Sequence, residues 1–145
     1  MAMWIEEQFS RLEHEGYAVT SESDYDYNCV AYAAGETDRW WSHLEESGYY
    51  WPDHASRTPL IQSLVEVFTG LGYEPCTDAD DESGFQKVAL YSKQGNWTHV
   101  AVQLPDGNWS SKLGLEEDIH HRTPESLTGE SYGEVHCIMR RRRTL

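Results

Sequence analysis

At 145 residues, with six Trp, nine Tyr and three Phe, the chain can bury one sizeable core and reads as a single domain, 1–145. That aromatic content argues against disorder despite a mean hydropathy of −0.69. No stretch approaches the roughly 18 apolar residues of a membrane span. The net charge is −14, and Arg140 to Arg143 supply four of the eleven basic residues, which leaves positions 1–139 with seven basic against 25 acidic residues, a net of −18. Such a surface repels nucleic-acid backbones and favours neutral or cationic partners, so neither nucleic acid nor membrane is expected as a partner.

In chain order, residues 2–14 carry Trp4, Ile5, Phe9 and Leu12 at helical spacing and stop near Gly16. Ser21 to Asp26 is a polar entry to a short apolar helix, with Asp26 as N-cap and Gly35 as its stop. Residues 36–56 read as an aromatic-rich loop. Thr58-Pro59 opens a helix whose inner face is Leu60, Ile61, Leu64, Val65 and Phe68, ending near Gly70. A strand starts at Gly72-Tyr73-Glu74, and Asp78 to Gly84 is an acidic loop. Four strands are then expected at 85–92, 97–104, 108–113 and 133–140, from the period-two alternation of Val88, Leu90, Val100, Val102 and Leu104. Asp106-Gly107 is a hairpin turn signal, and Thr123-Pro124-Glu125-Ser126 a capped helical turn. The fold expected is α+β, with N-terminal helices packed on an antiparallel sheet of about four to five strands.

The chemistry centres on two segments, Asn28-Cys29-Val30-Ala31-Tyr32-Ala33-Ala34-Gly35 and Trp97-Thr98-His99-Val100-Ala101-Val102. A cysteine at a helix start has backbone amides and the positive dipole end beside its sulfur, which stabilise a thiolate. A strand histidine packed across that start can act as general base. The plain reading of the same cysteine is a small core residue in an alanine-rich helix. Cys29, Cys76 and Cys137 are an odd number at no metal-ligand spacing and are expected as free thiols. The N-terminus lacks the basic and apolar regions of a signal peptide, so a cytoplasmic protein is expected.

A cysteine helix followed by a His-Val-Ala-Val strand, a Pro-Asp-Gly-Asn turn and a Trp-Ser-Ser-Lys strand resembles the papain-like superfamily. The closest resemblance is to small bacterial NlpC-type and CHAP-type cysteine amidases, including a group with no assigned substrate. It covers 26–35 and 97–114 well and the remainder only in element order. It implies a papain-like fold and a hydrolase of amide, isopeptide or thioester bonds, or an acyltransferase using the same chemistry. Cys29 would be the nucleophile and His99 the base, with the Cys29 N–H and the Asn28 side chain holding the oxyanion. Asn28 stands where NlpC-type proteins usually carry Asp, and Ser23 where papain has glutamine.

The third catalytic member is open between Asp118 and Ser111. An unbulged turn at Asp106-Gly107 would put Ser110 and Lys112 on the face of His99, whereas a one-residue bulge would put Ser111 there. The NlpC-type pattern also points to Ser111, twelve positions after the histidine. Trp40, Trp41 and Trp51 are either core under a long loop or the aromatic wall of a substrate cleft.

No metal or cofactor is expected. His120-His121 would point to opposite faces of a strand, the Asp78–Glu82 run lacks calcium-loop spacing, and His14, His43 and His54 read as surface residues. The partner expected is a peptide or other amide-bearing substrate, or a protein. The rival reading is a catalytically inactive acidic binding or immunity-type module, suggested by the net charge, the missing glutamine and the weak third member.

Overall fold

The computed structural model describes residues 3–21, 27–44, 49–113 and 117–143. Nine strands and four helices run in the order α1 Met3–Gln8, α2 Ser10–Glu15, β1 Tyr17–Ser21, α3 Cys29–Ala33, β2 Trp40–Trp41, β3 Tyr49–Tyr50, α4 Ile61–Gly70, β4 Glu74–Cys76, β5 Phe85–Lys93, β6 Asn96–Gln103, β7 Trp109–Lys112, β8 Asp118–His121 and β9 Glu134–Arg142. A 3₁₀ turn spans Pro124–Leu127. Seven strands form one antiparallel sheet, ordered β1-β8-β7-β6-β5-β9-β4, and β2 and β3 make a separate two-residue parallel pair.

The architecture corrects the expected papain-like arrangement of N-terminal helices on a four- to five-stranded sheet. β4 lies at the strand expected from Gly72, and β5, β6, β7 and β9 lie where strands were expected, but β1 and β8 extend the sheet beyond these five. The helices are short and divided between both faces of the sheet. α3 and α4 bury Cys29, Val30, Leu64, Val67 and Phe68 against Val88, Leu90, Val100 and Val102. α1 and α2 bury Ile5, Phe9 and Leu12 against Ala89, Tyr91, Ala101, Trp109 and Ile119 on the other. Each large apolar side chain so buried contributes about 1.5–3 kcal/mol. The expected single N-terminal helix is broken at Phe9, whose φ of −131° and ψ of 78° are not helical.

The β6–β7 hairpin turns through Pro105-Asp106-Gly107. Leu104 and Asn108 close it, with Gly107 at φ +90° donating to the Leu104 carbonyl. The bulged register is therefore the one formed: Val102 faces Ser110 and Gln103 faces Trp109. Among the described residues no helix is long and apolar enough to cross a membrane.

Candidate functional site

The cysteine helix begins at Asn28, not at Asp26, which lies outside the described residues, as does Ser23. Asn28 is 5% exposed, with extended backbone, and its Oδ1 accepts the Ala31 N–H at 3.1 Å as an N-cap. The same oxygen accepts the Trp41 N–H at 3.2 Å, and Nδ2 donates to the Trp41 carbonyl at 2.6 Å. The side chain proposed as an oxyanion donor is thus engaged in capping α3 and holding β2.

Cys29 is 6% exposed. Its sulfur is approached by the backbone N–H groups of Val100, Val30 and Cys29 itself, with the Lys112 ammonium contributing at longer range. These favour the thiolate, but loss of water outweighs them, and burial pushes the thiol up to about 11. The resting group is a neutral thiol. All three cysteines are free.

The Val100 contact locates the sulfur. Amides of a strand lie in the plane of the sheet, so a sulfur at the Val100 N–H sits at the edge of β6, beside the peptide that joins His99 to Val100. That edge is open because β6 and β7 pair only at Val102–Ser110 and Gln103–Trp109, after which the ladder between them ends. The start of α3 fills the gap.

His99 pairs with Tyr91 and shares its face with Ala101, where it is wholly buried. Its ring lies flat on Tyr132, centroids 4.2 Å apart and planes 2° apart, and edge-on to Tyr91 at 5.2 Å. Among the described residues neither ring nitrogen has a hydrogen-bond partner. Burial, and then the neighbouring His121, hold its pKa well below the usual histidine range. The hydrogen-bonded Cys29–His99 pair expected from the sequence is therefore not formed here. The pleat turns the imidazole onto the Tyr91 face while the sulfur stays at the strand edge. Tyr132 covers the imidazole, and burial, with a smaller contribution from Cys29, raises its phenol.

The two candidates for third member also part company. Ser111 does share the face of His99, as the bulge requires, but its Oγ lies 2.8 Å from His121 Nε2. The carbonyl of Thr123 accepts from His121 Nδ1 at 2.8 Å, so Nε2 is unprotonated and accepts the Ser111 hydroxyl. Asp118 faces Lys112 across β7–β8 on the side of α3, and its Oδ2 accepts the Tyr27 hydroxyl at 2.8 Å. Neither Ser111 nor Asp118 bonds His99. Lys112 is wholly buried with its ammonium 5.2 Å from the Tyr27 ring centroid, and Tyr32 meets Ser110 Oγ at 2.6 Å. Cys29 thus lies at one end of a buried polar row built from α3, β7 and β8.

The cleft reading of the tryptophans is replaced by core packing. Trp41 and Trp51 are each 4% exposed; Trp41 stands edge-on to Tyr50, and Trp51 stacks on Trp97 at 5.8 Å. Half-buried Trp40 stacks on Tyr49. His43, expected at the surface, is half-buried and stands edge-on to both Trp51 and Trp97. His54 does lie at the surface, and the His14 side chain is outside the described residues. Among the described residues no three His, Cys, Asp or Glu side chains group as metal ligands. Tyr132 and Tyr27 were not picked out from the sequence. The one signal for Tyr132 is the pair Gly129 and Gly133, whose mutual hydrogen bonds of 2.9 and 2.8 Å set the loop that carries it.

No curated protein and no solved structure matches the chain. A family model does match, over residues 18–140, which spans α3, the sheet from Ala18 in β1 to Arg140 in β9, and every residue of the buried row. The chain belongs to the family described as a domain of unknown function, DUF7689.

Proposed function

We propose that the protein performs cysteine-dependent acyl transfer, hydrolysing an amide, isopeptide or thioester bond or passing the acyl group to an amine. The observation that carries this reading is the Cys29 sulfur at the His99–Val100 peptide, on the residue whose imidazole is fully buried and, among the described residues, has no hydrogen-bond partner for either nitrogen. Unpaired buried polar groups are rare and costly, and they concentrate at sites where a partner arrives during function.

The chemistry runs from two neutral groups. As the sulfur attacks the carbonyl carbon, its proton passes to an imidazole nitrogen of His99, turned from its stack toward the strand edge. The amides now directed at the sulfur stabilise the oxyanion. The imidazolium returns the proton to the leaving group, leaving a thioester on Cys29. Water or an amine, deprotonated by His99, then attacks the thioester, and the imidazolium returns the proton to the departing Cys29 sulfur as the acyl group leaves. Because the resting thiol is not ionised, the base rather than a preformed thiolate activates it. The acidic surface selects a neutral or cationic peptide-like substrate over nucleic acid or a membrane. Three free thiols, two of them half-exposed, suit a reducing compartment such as the cytoplasm.

A non-catalytic acidic binding module is the second reading, favoured by the burial of both Cys29 and His99. Iodoacetamide separates the two near neutral pH. The catalytic reading expects Cys29 to alkylate faster than the more exposed Cys76 and Cys137, and to slow on His99→Gln. Burial alone makes Cys29 the slowest of the three. Slow labelling of Cys29, indifferent to His99→Gln, overturns the catalytic reading.

A further inference from the structure

We propose that the cavity between α1 and the loop carrying Tyr132 is the substrate subsite of the Cys29–His99 centre, and that it takes an amide bearing an aromatic group with a cationic end. The proposal rests on the acyl-transfer reading. The cavity holds about 420 Å³, within the size range of small-molecule sites. Its apolar walls are Trp4, Phe9, Leu113 and Tyr132, and Glu7 and Gln8 stand at its mouth.

Two relations tie this space to the chemistry. Tyr132 lines it and lies flat on His99, so one ring separates the cavity from the imidazole. Leu113 is the residue after β7, on the far side of the opening in which the sulfur lies. Displacement of the Tyr132 ring would bring a substrate amide entering here against His99.

The composition of the walls defines the ligand. Three aromatic rings and a leucine favour a planar apolar group. Among the described residues no Lys or Arg lines the cavity, Glu7 is exposed at its mouth, and Glu117 accepts the Trp4 indole N–H at 3.3 Å from the side. The local charge is therefore negative in a protein of net charge −14, and it selects a cation at the outer end of the ligand.

Chloroacetamides that alkylate thiols test this on the full chain. The probes are N-[4-(aminomethyl)benzyl]-2-chloroacetamide, N-(4-carboxybenzyl)-2-chloroacetamide and 2-chloroacetamide itself, with the rate at each cysteine read by peptide mass spectrometry. At Cys29 the cationic benzyl reagent is expected to outpace the carboxybenzyl reagent by about tenfold or more, while Cys76 and Cys137 barely distinguish them. Glu7→Lys, at an exposed position, should remove most of that preference, and Gln8→Trp should slow both benzyl reagents while sparing 2-chloroacetamide. Equal rates for all three reagents at a fast-reacting Cys29, unchanged in both variants, overturn the subsite and leave the acyl-transfer reading standing. A Cys29 slower than Cys76 and Cys137 toward every reagent overturns both.

Discussion

The imidazole of His99 and the phenol ring of Tyr132 lie face to face, 4.2 Å between centroids and 2° from parallel. His99 is wholly buried with both ring nitrogens out of solvent, and the stack ties this base to a loop held by two glycines. The acid response, the loop and the reactivity of the sulfur all follow from it.

Acid should destabilise the fold through two histidines. The folded-state pKa of His99 lies well below the unfolded value near 6.5, chiefly by burial, and that of His121 is lowered to about 4 for the same reason. A group with a depressed folded pKa contributes stability that is complete above the unfolded value and is lost as pH falls. His121 alone then withdraws on the order of 3 kcal/mol between pH 6.5 and 4, and His99 adds to it. Thermal melts from pH 7.5 to 4.5 should fall steadily, and neither imidazole should titrate by NMR above pH 6. A flat melting temperature across that range contradicts the burial of both rings.

Gly133→Ala tests the loop under Tyr132. Gly133 sits at φ +77°, where an L side chain is strained, and a Cβ there would collide with the Ser92 carbonyl oxygen. A loss of roughly 2–4 kcal/mol is expected from strain and overlap together. Because the loop holds Tyr132 on His99, the variant should also make the imidazole titrate closer to pH 6.5. Chemical denaturation and histidine NMR on one sample read both effects.

Asn28 tests the join between α3 and β2. Asn28→Ala removes the cap of Ala31 and both bonds to Trp41, for a cost of about 2–4 kcal/mol. Asn28→Asp keeps the acceptors but loses the donor to the Trp41 carbonyl and sets a carboxylate beside that oxygen. It should therefore be no better than Ala, in contrast to the ordinary equivalence of Asp and Asn as caps. Equal stability of wild type and Asn28→Asp, in urea titrations, would show that the Trp41 bond carries nothing.

The pH profile of Cys29 alkylation separates base assistance from simple ionisation. An unassisted thiol of pKa about 11 should react about tenfold faster with each pH unit up to that value. Assistance by His99 should lift the rate near pH 7 above that line, and His99→Gln should return it to the line. Ionisation of the buried thiol also costs stability. That stability is complete below the unfolded value near 8.5–9 and is lost as pH rises toward 11.

What could be read in the sequence was local. The alternation of Val88, Leu90, Val100 and Val102 locates β5 and β6, because a half-buried strand must present every second residue to a core. The spacing of Leu60, Ile61, Leu64, Val65 and Phe68 locates α4, although Val67 takes a place on its buried face and Leu60 stays exposed. β1 and β8 were missed because Tyr17–Ser21 and Asp118–His121 show no such alternation. They are strands because they pair with each other and with β7. Tyr132 was missed because nothing in a short polar loop reveals what its one aromatic residue covers.

By itself, then, the sequence determined the central strands, the cysteine at the start of α3, and the histidine on β6, since each depends on residues a few positions apart. Only the tertiary structure decided that the sheet has seven strands with helices on both faces, that Asn28 holds Trp41, and that Ser111 answers to His121. It alone decided that Cys29 meets the edge of β6 while His99 turns onto Tyr132. Those outcomes depend on register. A single bulge at Gly107 exchanges the faces of Ser110, Ser111 and Lys112 relative to His99, and the point at which β6 parts from β7 sets where a side chain from α3 can enter. Both are set by packing between segments distant in the chain.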